Sequence, residues 1–133
     1  MSNEADEKTV QTALSPDSIS TDMLEPIAYE YSGKRDIDIV IRHPEYTSVC
    51  PRTGLPDFGC ITIRYIPQGS IIELKSLKYY LMQYRNVGIF YENAVNRILD
   101  DLAASLAPRR MTVMGDFTAR GGISTTVTVN YPE

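Results

Sequence analysis

Glu73-Leu74-Lys75-Ser76-Leu77-Lys78-Tyr79-Tyr80, running on to Leu81 and Tyr84, is the stretch on which the fold turns. Leu74, Leu77, Leu81 and Tyr84 recur at helical spacing and predict a helix from about Glu73 to Arg85. Asn86-Val87-Gly88 breaks it, glycine being a natural helix stop. A second helix follows from about Phe90 to Leu106, with Ala94, Val95, Ile98, Leu99, Leu102 and Leu106 on one apolar face, and Pro108 ends it.

On both sides of this pair the apolar period shortens to two. Asp36-Ile37-Asp38-Ile39-Val40-Ile41 alternates as a first strand, and Phe58 to Ile66 as a second, closed by Pro67-Gln68-Gly69-Ser70. A loop from His43 to Asp57, with Pro44, Pro51, Gly54 and Pro56, separates them. Beyond the helices, Met111 to Phe117 and Ser124 to Tyr131 are two more strands, joined through Arg120-Gly121-Gly122. The order ββααββ predicts an α+β domain, a four-stranded antiparallel sheet with two helices on one face. Its edge strands would be open to unwanted pairing. Closing the sheet into a barrel with neighbouring copies removes that hazard, so a homo-oligomer is expected.

At 133 residues the chain holds one domain. Residues 1–22 are polar and acidic and read as a flexible N-terminal arm, leaving 23–133 as the folded unit. Residues 1–28 carry Glu4, Asp6, Glu7, Asp17, Asp22 and Glu25 against Lys8 alone; of the 17 acids and 13 bases in the chain, the remainder keeps 11 and 12. A near-neutral folded part lacks the basic field of a nucleic-acid binder and points to a small-molecule ligand. No apolar run reaches the roughly 20 residues of a membrane span, and the acidic start is unlike a signal peptide, so no membrane partner and a cytoplasmic location are expected. Cys50, Cys60 and His43 fall short of a zinc set. In a cytosolic chain a structural disulfide is not expected either, and Cys60 reads as a small packing residue within a strand. Neither a GxGxxG nor a Walker-type loop is present, so any nucleotide must be held by other means.

Three groups of residues could carry chemistry. Cys50 precedes Pro51 near Arg42 and Arg52, and a nearby cation favours the nucleophilic thiolate; an inert thiol is the plainer reading. Asp57, closing the same turn, could be a general acid or simply a turn cap. Lys75, Ser76 and Lys78 begin a helix, where N–H groups, dipole and two ammonium groups suit phosphates, or merely solvent, with Glu73 as a dipole partner. Glu92, beside Tyr91 on the first turn of the second helix, is favourable there in any helix, or could accept two N–H donors from a guanine-like edge.

Taken jointly these residues resemble the QueF family, the NADPH-dependent nitrile reductases of queuosine biosynthesis, a tRNA modification. The family signature is Glu-(Ser/Leu)-Lys-(Ser/Ala)-hydrophobic-Lys-(Leu/Tyr)-aromatic, and Glu73 to Tyr80 satisfies every position. Tyr46 to Gly54, continuing to Pro56-Asp57-Phe58, is similar to the active-site loop; Arg85-Asn86, Gly88, Glu92 and Asn96 match the second-helix region, and Arg120 to Ile123 the last turn. The resemblance implies the tunnelling fold (T-fold), in which ββααββ subunits assemble into a barrel with active sites between subunits. It implies that Cys50 attacks the nitrile carbon of 7-cyano-7-deazaguanine to give a covalent thioimide, that Asp57 protonates the nitrogen, and that two NADPH complete the aminomethyl product. Ile72, Glu73, Leu74, Tyr91 and Glu92 would touch the substrate, and Lys75, Ser76 and Lys78 the NADPH phosphates. No direct nucleic-acid partner and no metal are implied. One departure is Tyr91, where many relatives have histidine; a phenol with an ordinary pKa near 10 is a poorer proton shuttle at neutral pH. An amidinotransferase on the same fold, acting on the nitrile base in tRNA, and a non-catalytic purine- or pterin-binding barrel are the competing readings. The intact signature speaks against the first, and the Cys50–Asp57 pair against the second.

Overall fold

The computed structural model describes residues 13–133. Among them the strands and α-helices run β1 (Pro26–Ala28), β2 (Ile39–Val49), β3 (Pro56–Ile66), β4 (Ser70–Ile72), α1 (Leu74–Met82), α2 (Tyr91–Leu106), β5 (Arg110–Arg120) and β6 (Ile123–Tyr131). β2, β3, β5 and β6 form one antiparallel sheet in that order, and β1 pairs with β4 in a separate two-stranded ribbon. The ββααββ order is therefore as expected, with the ribbon added. Pro26-Ile27-Ala28 is too short for an alternation to be visible in sequence.

The face of the sheet that buries Tyr46, Ile61, Ile63, Tyr65, Met111, Val113 and Phe117 is the face covered by the helices. α2 lays Ala94, Val95, Ile98, Leu99, Leu102 and Leu106 against it, the apolar face read from the sequence. α1 departs from expectation. α-Helical bonding ends at Met82 and tightens into a 3-10 turn over Gln83–Asn86. Leu74 is exposed, and the buried side is Ser76, Leu77, Tyr80, Leu81 and Tyr84. A tyrosine can take the inner position because its hydroxyl is partnered. Tyr80 Oη lies 2.9 Å from Tyr84 Oη and donates to Asp101 Oδ2 at 2.5 Å, which Arg97 also holds at 2.8 Å.

The expected loop from His43 to Asp57 is mostly strand. β2 runs to Val49 and only residues 50–55 turn. The cause is a bulge: His43 pairs with Ile61 and Tyr46 with Gly59, so Pro44 and Glu45 together face one residue of β3. Before the bulge Ile39 and Ile41 point to the core, and after it Tyr46 and Ser48 do. That phase change hides the alternation on which a strand is recognised.

Residues 1–12 of the expected arm lie outside the described residues, while residues 13–22 are docked. Leu14 bridges Val87, Ile19 is buried in the core, Ser20 exchanges two hydrogen bonds with the Gln83 amide, and Arg97 donates to the Ile19 carbonyl. An isolated Ile19 among serines gave no period from which to read this. No helix of the described residues is long and apolar enough to cross a membrane. β2 and β6 are the edge strands, and Val40 and Phe58 are exposed on the face away from the helices.

Candidate active site

The turn 50–55 is closed by its own backbone. Cys50 N–H donates to the Leu55 carbonyl at 2.9 Å and Gly54 N–H to the Cys50 carbonyl at 2.8 Å, with Gly54 at φ +71°, where a side chain would be strained. This folds Thr53 back on Cys50. Burial pushes the Cys50 thiol up, but hydrogen bonds from the Thr53 hydroxyl and from the Thr53 and Arg52 amides outweigh it, and the net shift is downward. The downward direction expected for this thiol is found, with a different cause. Arg52 acts through its N–H rather than its guanidinium, and Arg42 lines a separate groove. Cys60 is a free thiol like Cys50, but it stands on the β3 face opposite to Asp57.

Asp57, second residue of β3, is 5 % exposed and paired in register with Ser48. Its Oδ1 accepts from the Tyr91 hydroxyl at 2.9 Å and from the Arg120 guanidinium, which also donates to the Pro56 carbonyl at 3.0 Å. Oδ2 takes no hydrogen bond within the described residues, so one oxygen is fixed and the other is open to a ligand. Arg120 reaches Asp57 because the β5–β6 hairpin turns in two residues. Arg120 pairs with Ile123 across Gly121 and Gly122, whose φ values of +57° and +82° suit the hairpin turns that match strand twist. Tyr91 lies flat on Phe117, ring centroids 3.9 Å apart. Burial and the bond to Asp57 push its phenol up to about 12, so it remains a donor across the neutral range rather than a shuttle.

Cys50, Thr53, Asp57, Tyr91, Glu92 and Arg120 line one cavity of about 380 Å³, inside the range of small-molecule sites of about 300–1,000 Å³. Phe90, Ile123 and Thr125 complete it. Glu92 is exposed here rather than buried, and it makes no ion pair among the described residues. A thiol whose pKa is lowered, a positioned carboxylate with one open oxygen and a second carboxylate at the rim can add to an electrophilic carbon while handling a proton and N–H donors.

Ile72, Glu73 and Leu74 do not reach this cavity within one chain. Ile72 is buried and its N–H donates to Tyr65 Oη at 3.1 Å; Leu74 faces solvent. The Glu73 carboxylate caps α1, accepting from Lys75 N–H and Ser76 N–H at 2.8 Å each. The Ser76 hydroxyl donates to the Glu73 carbonyl at 2.7 Å and accepts from Glu25 N–H at 3.1 Å. The phosphate cradle expected at this helix start is therefore corrected. Its N–H groups and its serine are already bonded within the chain, leaving the exposed ammonium groups of Lys75 and Lys78 as the parts that fit a phosphate-bearing cofactor. Lys78 also lines a second cavity of about 380 Å³ with Arg42, His43, Glu45, Thr47 and Arg85.

Two residues of the site went unread in the sequence. Thr53 falls within the stretch similar to the family's active-site loop and Arg120 within the matched last turn, but nothing in either stretch assigns them a role. The Gly-Gly pair after Arg120 was the available signal, since it demands a tight hairpin that brings the flanking residues back to one place.

A four-stranded antiparallel sheet backed by two helices, with this cavity at one end, is the arrangement of the tunnelling fold. The crystal structure of the archaeosine synthase QueF-Like in the apo form superposes with a TM-score of 0.62 at 22% identity, covering 71% of this chain and 91% of that one. The model of the QueF-like protein family matches residues 56–133. An NADPH-dependent 7-cyano-7-deazaguanine reductase of Chlorobaculum tepidum is 65% identical over 97 residues, 73% of this chain and 83% of that protein. One of Chloroherpeton thalassium is 54% identical over 110 residues, 83% of this chain and 94% of that protein. The chain belongs to the QueF-like family.

Proposed function

We propose that this chain is an NADPH-dependent reductase that converts the nitrile of 7-cyano-7-deazaguanine to the aminomethyl group of 7-aminomethyl-7-deazaguanine. The observation that carries the reading is the meeting of Cys50, its thiol pKa lowered, with the open oxygen of Asp57 in one cavity. Asp57 takes the proton of the Cys50 thiol; the thiolate adds to the nitrile carbon, forming a C–S bond as one C–N π bond gives its electrons to nitrogen, and Asp57 returns the proton to that nitrogen, making the neutral thioimide. NADPH, when bound, supplies two hydrides in all. Cys50 would leave as thiolate after the first, and two protons from solvent would bring the nitrogen to the amine and the thiolate back to thiol. Tyr91 and Arg120 hold the Asp57 carboxylate in place through these steps, and Glu92 at the rim accepts the N–H donors of the base. Lys75 and Lys78 hold the cofactor's phosphates.

The chain's own cavity lacks Ile72, Glu73 and Leu74, and its sheet has two open edges. Both features support a homo-oligomer in which a neighbouring copy completes each substrate site. The 54–65% identity to reductases supports this chemistry over that of an amidinotransferase.

Mixing the protein with 7-cyano-7-deazaguanine without NADPH tests the reading. A covalent mass increase and a new near-ultraviolet band are expected, both abolished in Cys50→Ala, with about two NADPH then consumed per amine formed, as two hydride steps require. An unaltered protein that forms no adduct would overturn it.

A further inference from the structure

The second cavity lies where the outer side of α1 approaches the bulge of β2. Arg42 and His43 come from the strand, Lys78 and Arg85 from α1 and the 3-10 turn that follows it. Arg42, Lys78 and Arg85 are three cations around one space of about 380 Å³, with Glu45 the single acid of its lining. None of the three forms an ion pair within the described residues, although four other arginines of this chain do. Three like charges with a single acid among them still repel one another, and an anion between them relieves that repulsion. The competing anion site, the start of α1, is closed by the Glu73 carboxylate. What remains on this helix for a phosphate is its flank, and the flank faces this groove.

We propose that this groove reads the 2′-phosphate of NADPH, with Arg42 and Arg85 as ligands beside Lys78, and so sets the preference for NADPH over NADH. The inference rests on the reductase reading above and adds to it the residues that select the cofactor. The two cofactors differ only in that phosphate monoester, which carries up to two negative charges and three terminal oxygens. Two guanidinium forks and an ammonium match it in charge and geometry, whereas a diphosphate bridge offers one charge per phosphorus.

The test is steady-state kinetics with NADPH and with NADH for the unaltered protein, Arg42→Ala and Arg85→Ala, together with binding of 2′,5′-ADP, a probe carrying the distinguishing phosphate. The ratio of kcat/KM for NADPH to that for NADH should fall roughly tenfold to hundredfold in each variant, the range for one lost charged hydrogen-bond partner. Affinity for 2′,5′-ADP should fall in parallel, and Arg85→Lys should recover part of the loss because charge returns without the fork. Formation of the Cys50 adduct with the nitrile serves as the check that each variant is folded. A ratio that stays constant, whether both cofactors weaken equally or neither does, overturns the groove while leaving the reductase standing. An unaltered protein that reduces no nitrile with either cofactor overturns the reductase reading; failure of 2′,5′-ADP to bind it then removes the groove as well.

Discussion

The turn 50–57 and the helix start 73–78 carry the most specific parts of the sequence, and the structure treats them in opposite ways. Around Cys50 and Asp57 the chain gathers hydrogen-bond donors and one cation, Arg120, from separate elements into one cavity, all within a single copy. Around Glu73 it turns the polar groups inward, onto the helix's own amides and onto Glu25. A motif can therefore combine residues that fold the protein with residues that meet a ligand. In Glu73 to Lys78, Glu73 and Ser76 build the helix start, and the two lysines are its charged groups that face outward without an ion pair among the described residues.

The contrast can be broken at three points. The largest effect is expected from Asp57→Asn. The nitrile should still bind, while formation of the Cys50 adduct and NADPH consumption both slow by about 10²–10⁴, the contribution of a positioned acid; equilibrium binding of the nitrile, and mass spectrometry with absorbance at the cofactor band, check the two halves separately. Next is Glu73→Ala, which removes an acceptor from two helix amides and should destabilise the protein by about 1 kcal/mol. A scan of melting temperature should then show a fall of a few degrees. An unchanged melting temperature would mean that the carboxylate is free for a ligand and that the two regions are more alike than described. The smallest effect is a pH shift in Thr53→Val. The Thr53 hydroxyl favours the thiolate, so its loss raises the Cys50 pKa, and adduct formation should need a higher pH. The midpoint of the rate–pH profile moves upward, with the high-pH plateau kept.

Much of this was legible because local periods were clean. α2 shows its apolar face without interruption, and the β3, β5 and β6 alternations each fixed a strand. What stayed hidden was set by distant partners or by a break in phase. Tyr80 could be placed inside only by knowing that Asp101 would meet its hydroxyl. The second half of β2 was masked by Pro44 and Glu45, and the packing of Ile19 depended on Arg97 and Gln83 far along the chain. In the site, Cys50, Asp57, Tyr91 and Glu92 come together as the resemblance implied, whereas Thr53 and Arg120 act through geometry that composition does not announce.

The bulge at Pro44 and Glu45 has an evolutionary consequence. Residues on a strand alternate sides, and the extra residue lets His43 and Tyr46, three apart in sequence, face the same side of the sheet; removing either Pro44 or Glu45 would leave Tyr46 and Ser48 opposite Gly59 and Asp57 in an unbroken ladder and take away the local kink. The segment has the composition of a surface loop, where insertions and deletions usually accumulate, and it is a place where β2 could lose a residue without turning the rest of the strand over. Loss of one residue here would change the kink of β2, not which of its side chains enter the core.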